Sequence, residues 1–267
     1  MLPLRKSNLI GKPRQYLTTT QREINNIHDY SLRVTSAKNK WKNKNKAHFE
    51  QIRETLISIC HGTRRCHYCE DSAADEVEHV WPKAFYPERA FRWSNYIFSC
   101  GPCNGSFKGD NFDLIDENGD IIKVTRKKDD PITPPPEHDP LFIDPTIEDP
   151  LEYIILEPIT GIFLPLSENT DSIEYKKAEY TITTLGLNKR DFLSKARRMA
   201  YQTYLDLANK YIERKDAGAS RNELTKRLEV IRESPHPTVW HEVKRLADTG
   251  VEHQELFTSA PELNGTF

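Results

Sequence analysis

C-H-Y-C at residues 66–69, D-E-V-E-H-V-W-P-K at 75–83, W-S-N-Y at 93–96 and C-G-P-C-N-G-S-F-K at 100–108 decide how the rest of the chain is read. Cys66 and Cys69 are separated by two residues, as are Cys100 and Cys103, and thirty residues lie between the pairs. Thiolates at the first and fourth positions of a tight turn can converge on one ion. Two such turns complete a tetrahedral four-sulfur site, so the spacing predicts a structural Zn²⁺ held by Cys66, Cys69, Cys100 and Cys103. A thioredoxin-like redox use of either pair is the competing reading, and two pairs flanking a Glu-His dyad weigh against it. His61 and His67 stand beside the turns and either could replace a thiolate, although four cysteines suffice. Cys60 is left over and reads as a small buried residue.

The dyad Glu78-His79 followed by Val80 and Pro82, then Asn95, then C-x-x-C-N-x-x-x-K ending at Lys108, resembles the HNH nuclease motif of the zinc-stapled kind. The match covers 43 of 267 residues and is specific, because metal turns, dyad, middle Asn and final Asn fall in the expected order. M-L-P-L-R-K-S at 1–7, V-E-H-V-W-P-K-A-F-Y-P at 77–87 and F-I-D-P-T-I-E-D-P-L-E-Y-I at 142–154 resemble HNH proteins of phage-defence systems, such as the Septu PtuB and retron-associated nucleases. The resemblance implies a ββα-metal core, hydrolysis of DNA phosphodiesters, an anti-phage setting and an ATPase partner of the PtuA type.

It also implies roles. Hydrolysis needs an activated water, a cation on the non-bridging oxygen and stabilisation of the leaving 3′ oxygen. His79 can take the proton near neutral pH. Glu78 and Asn104 offer hard oxygens to a catalytic Mg²⁺ or Mn²⁺ and leave room for phosphate and waters. Asn95 fixes the loop that presents His79, and Lys108 neutralises phosphate charge. Many HNH motifs have Asp before the histidine; the longer Glu78 could shift the metal, with Glu76 and Asp75 as nearby alternatives. RNA is a possible substrate, since this chemistry does not use a 2′-hydroxyl. The rival from another class is a zinc-stapled binding module with an inactive site, against which an intact His79, Asn95 and Asn104 argue.

Composition sets the background. At 37% apolar and 29% charged the chain can bury a core but is polar overall. No run of eighteen apolar residues and no apolar signal-peptide core occur, so no membrane role and a cytoplasmic location are expected. The net charge of −2 conceals an uneven distribution. Residues 1–60 hold twelve Lys/Arg against four Asp/Glu, a net +8, whereas residues 110–175 hold four against seventeen, a net −13. Lys38, Lys40, Lys42, Lys44 and Lys46 form a run that reads either as a phosphate-tracking surface or as a solvated helix face. Trp81, Phe85, Tyr86, Phe91 and Trp93 read as packing of a small domain.

The expected fold class is α+β: a basic helical extension at 1–59, the nuclease core at 60–112, an Asp/Pro-rich connector with hairpins at 113–171, and a helical region at 172–267. Residues 2–13 should be extended, and Phe49, Ile52, Leu56 and Ile59 predict an amphipathic helix. Strands are expected at 76–80 and 96–99, with a short helix near Asn104. Hairpins should turn at 117–120 and 159–161. One helix should stop at Gly186. Asn188 should cap a long one that buries Phe192, Ala196, Met199, Ala200, Tyr204, Leu207 and Tyr211, and Ser220 should cap the next. Pro235 and Pro237 introduce a last short helix through Trp240.

Overall fold

The strand pair expected around the dyad forms at the centre of the chain. In the computed structural model, which describes residues 1–4, 6–61, 64–71, 74–250 and 252–266, β1 (Glu76–His79) pairs antiparallel with β2 (Tyr96–Ser99). Residues 5, 62–63, 72–73, 251 and 267, parts of the expected 1–59, 60–112 and 172–267 regions, lie outside the described residues. Glu78 stands opposite Ile97 and His79 opposite Tyr96. Strand alternation puts Glu76 and Glu78 on one face of β1 and Val77 and His79 on the other. β2 is buried along its whole length. The helix Pro102–Lys108 follows, with proline in the first turn, where its missing N–H costs nothing. The Gly109 N–H reaches back five residues to the Asn104 carbonyl (2.8 Å), so the last turn is wider than an α-turn.

Three helices precede this unit: α1 (Gly11–Asn25), α2 (Tyr30–Lys42) and α3 (Lys46–Ser58). The extended segment is shorter than predicted, because α1 begins at Gly11 and takes Pro13 into its first turn. The Asp29 carboxylate caps α2 by accepting from the Leu32 N–H, and Asn45 caps α3 by accepting from the His48 N–H. The lysine run is thereby split. Lys38, Lys40 and Lys42 lie on α2, Lys44 in the corner, and Lys46 opens α3. Phe49, Ile52 and Leu56 are buried, with α3 packed on β2; Ile59 falls just past the helix end and is half-buried.

The acidic middle is more than a connector. The E-N-G-D turn joins β3 (Leu114–Ile115) to β4 (Ile121–Ile122) as expected. However, β5 (Asp139–Pro140) pairs with the other edge of β3, and Leu141, Phe142 and Ile143 behind it are fully buried. An apolar triplet inside a Pro- and Asp-rich stretch has only the core to go to, and its backbone is satisfied there: Leu141 N–H donates to the Asp113 carbonyl and Ile143 N–H to the Thr181 hydroxyl. A second hairpin, β6 (Ile154–Glu157) and β7 (Ile162–Pro165), also forms as expected. The fold is α+β, about half helical, with small antiparallel sheets.

In the helical region, α4 (Ile173–Thr184) is capped by Ser172 and ends before Gly186. Next, α5 (Asp191–Asp216) starts later than predicted, because Asn188 caps nothing: its amide oxygen accepts from the Phe163 N–H and its amide nitrogen donates to the Phe163 carbonyl. The buried face of α5 is also rotated. Phe192 and Met199 are exposed, while Leu193, Arg197, Ala200, Tyr204, Ala208 and Tyr211 face inward. Arg197 turns the helix, burying its guanidinium over the Phe163 ring (4.3 Å) and donating to the Gly161 and Leu187 carbonyls (3.0 and 3.1 Å). Ser220 caps α6 (Arg221–Glu233), α7 (Pro237–Asp248) buries Trp240, and α8 (Gln254–Ser259) follows beyond the helix expected to be last.

Gly186 joins this region to the Pro102–Lys108 helix. Its φ is +56°, and a Cβ there would sit 2.1 Å from the Phe107 ring. Gly186→Ala should therefore cost about 2–4 kcal/mol, from left-handed strain plus overpacking, read as a lowered denaturation midpoint with an unchanged m-value.

Candidate metal centre and histidine site

The two cysteine turns meet at one end of the β1–β2 hairpin. The His67 N–H donates to the Phe98 carbonyl (2.9 Å), tying the first turn to β2. The second turn leads straight into the Pro102–Lys108 helix, whose Asn104 N–H donates to the Cys100 carbonyl (3.0 Å). All four sulfurs are buried and lie within 4.8 Å of one another, with Cys69 and Cys100 3.8 Å apart. Tetrahedral sulfurs at the Zn–S distance stand about 3.8 Å apart, so the cluster is compatible with a structural zinc. Arg190 donates to the Cys103 sulfur (3.2 Å) and stacks on Phe107 (4.7 Å), bringing a positive charge from the helical region to the cage. His61 and His67 point away from it, their Nε2 atoms donating to the Pro3 and Leu2 carbonyls (3.2 and 3.0 Å). Cys60 stays outside, its thiol pushed up to about 12 by burial.

Glu70 follows the first turn at φ +61°, a conformation that strains a side-chain-bearing residue. Its carboxylate accepts from the Thr238 N–H (3.1 Å) and hydroxyl and meets the Met1 ammonium (2.9 Å). The first segment and α7 thus close over the cysteine turn.

His79 ends β1 and is buried. Its Nε2–H donates to the Ala90 carbonyl (2.9 Å), which leaves Nδ1 as the acceptor. The Tyr96 hydroxyl donates to the same carbonyl (2.7 Å), and Trp41 covers the imidazole, ring centroids 4.1 Å apart. Burial first, then the charges of Lys83, Lys108 and Lys44, hold His79 well below the ordinary histidine range, against the pull of the Ala90 hydrogen bond. It is neutral at pH 7. Asn95 secures the loop: its amide oxygen accepts from the Trp81 N–H (2.8 Å), its amide nitrogen donates to the Trp81 and Arg89 carbonyls (both 3.0 Å), and its own carbonyl accepts from the Val80 N–H. From α1, Gln21 holds the same loop through the Phe91 N–H and the Pro87 carbonyl.

On the other face of β1, Glu76 and Glu78 lie against the Pro102–Lys108 helix. Asn104 donates its amide to Glu76 (2.5 Å), and the Lys108 ammonium stands 2.8 Å from Glu78 Oε1. Lys108 does not reach out toward a phosphate. It is fully buried and donates to the His79 carbonyl (3.0 Å), a short step away once its stem is packed in the core. The ion pair with Lys108 is the contact that Glu78 Oε1 makes in the core. Burial raises the Glu78 carboxyl, and Lys108 works against that rise.

The lysine run divides by function of place. Lys40 pairs with Glu23 (2.6 Å), and Lys38 is exposed on α2. Lys42, Lys44 and Lys46 line a cleft of about 580 Å³ with Trp41, Glu76 and Asn104. Trp41 and Lys83 escape sequence reasoning as site residues, because thirty-eight positions separate Trp41 from His79 and no spacing rule spans that distance. Glu76 was an alternative ligand, and Asn104 now binds it.

Asn95→Ala should cost about 2–4 kcal/mol, because it removes three hydrogen bonds and leaves the Trp81 N–H without its acceptor; chemical denaturation measures the loss. No protein-family model matches the chain and no curated protein matches it, so the function is inferred from the site's own residues.

Proposed function

We propose that this protein is a zinc-stapled HNH-type endonuclease that hydrolyses DNA phosphodiesters with His79 as general base. The observation that carries the proposal is the placing of a neutral, tautomer-fixed imidazole at the end of β1, back to back with Glu78 and Asn104 across a hairpin anchored by four cysteines. With Nε2–H committed to Ala90, Nδ1 takes the proton of the attacking water. The water oxygen bonds to phosphorus, the P–O3′ bond breaks, the departing O3′ takes a proton from solvent, and a 5′ phosphate and a 3′ hydroxyl result.

A divalent cation, when bound, supplies charge stabilisation to the phosphate oxygens. Glu78, whose Oε1 faces the Lys108 ammonium, and Asn104 would hold it as hard oxygen donors, with Glu76 beside them. Lys108 opposes the rise that burial imposes on the Glu78 carboxyl and pins the His79 backbone. Asn95 and Gln21 keep the loop, and with it the Ala90 carbonyl, in register with the imidazole. The phage-defence setting and the PtuA-type ATPase partner belong to the same proposal and rest on the sequence resemblance alone.

Supercoiled plasmid is the first substrate to try, in Mg²⁺ and in Mn²⁺, with zinc quantified in the same samples. Wild type should nick in a metal-dependent way with zinc near one per chain, and His79→Ala should lose roughly 10²–10⁴-fold in rate with its zinc intact. Cleavage undiminished by that substitution, or a wild type free of zinc, rejects the proposal. A single-stranded RNA in parallel reads substrate class.

The pH profile is a second check. A base must be neutral, and the folded pKa of His79 lies below the free value of about 6.5. Cleavage should hold level as pH falls through 6.5 and decline only at lower pH. A half-maximal point at or above 6.5 contradicts the assignment.

A further inference from the structure

We propose that Lys44 and Lys83, gathered on the Trp41 ring beside His79, form a two-cation clamp for a backbone phosphate of the nucleic acid. The inference rests on the nuclease reading and adds the residues that hold its substrate. Lys44 comes from the corner between α2 and α3, and Lys83 from the loop four residues after His79. Their ammonium groups stand 4.8 and 5.7 Å from the centroid of the same Trp41 ring, which also meets the imidazole at 4.1 Å.

Both side chains are half-buried, and among the described residues neither has a carboxylate within ion-pair distance. Lys44 makes one long bond to the Trp41 carbonyl (3.4 Å), whereas several neighbouring cations are engaged more closely elsewhere. Lys40 is on Glu23, Lys108 is on Glu78, Arg53 is on Glu50, and Lys6 donates to the Trp93 and Ser94 carbonyls. Two like charges held together and partly out of water are unfavourable, and cation–π contact offsets only about 0.5–1 kcal/mol at such sites. A phosphate between them removes that cost. Lys42 and Lys46 line the adjoining cleft with Lys44 and Trp41, and that cleft runs on to Glu76 and Asn104 on the metal-binding side of the proposed site. A phosphate seated at the rim of the Trp41–His79 pair lies within reach of both long side chains.

The test is binding of a short fluorescent DNA duplex, and of the matching RNA, by the full chain without added Mg²⁺ or Mn²⁺ over a range of salt. Lys44→Met/Lys83→Met should weaken DNA binding at least tenfold and reduce the slope of log affinity against log salt by about 1, for the single phosphate held between the two lysines. Lys83→Arg should retain the slope. Zinc content equal to wild type shows that the fold has held. A double variant that keeps the wild-type slope, while His79→Ala still abolishes cleavage, overturns the clamp and leaves the nuclease standing. A wild type with no affinity for either nucleic acid overturns both.

Discussion

Four buried sulfurs within 4.8 Å of one another impose the constraint from which the rest of the centre follows. A hairpin of two four-residue strands is marginal in water on its own, and the loop that joins the cysteine pairs is thirty residues long. One ion shared by both turns would close that loop. It would also relieve the repulsion of thiolates that otherwise face each other in a dry cavity. The consequences pass outward through covalent neighbours. Asn104 is the residue after Cys103, and Lys108 ends the same short helix, so both take their places on β1 from the second turn. Glu70 is the residue after Cys69, and its strained backbone is held by Thr238 and the Met1 ammonium. Loosening the cage would loosen the contacts of the first residues and of α7 as well.

The second constraint is dielectric. His79 lies beneath Trp41 and Tyr96, and Glu78 and Lys108 are buried on the opposite face. Removing water strengthens every charge interaction that remains, which is why three lysines act on the imidazole without touching it. The α2–α3 corner is therefore part of the site rather than an appendage. It supplies the ring that dries the histidine and, in Lys44, one of the cations that act on it.

Much of this was legible because it is local. C-x-x-C turns, alternation around Glu78-His79, the E-N-G-D turn and the Ser220 cap act over a few residues, and each formed as expected. What was missed depends on distant partners. Arg197 lies on the inward face of α5 only because two carbonyls and the Phe163 ring wait for it, and no hydrophobicity pattern assigns an arginine to a core. Asn188 had the look of a helix cap, yet β7 competes for its amide. Lys108 resembled a phosphate ligand because its charge is visible in sequence and its burial is not. Trp41 looked like one aromatic among lysines until the fold carried it to His79.

Lys108 and Glu78 also show why the arrangement would not survive simplification. Replacing a buried ion pair by apolar residues of similar size is often harmless to stability, whereas removing one partner leaves an uncompensated charge in the core. Here the ammonium has two acceptors, the Glu78 carboxylate and the His79 carbonyl, and they belong to adjacent residues of one strand. An apolar pair could fill the space, but it could not fix the backbone of His79 and set a positive charge against the neighbouring carboxyl at once. Stability alone does not require that double contact. A strand end that must present an imidazole on one face and a carboxylate on the other does require it, and the pair is best understood as holding those two groups in a fixed relation.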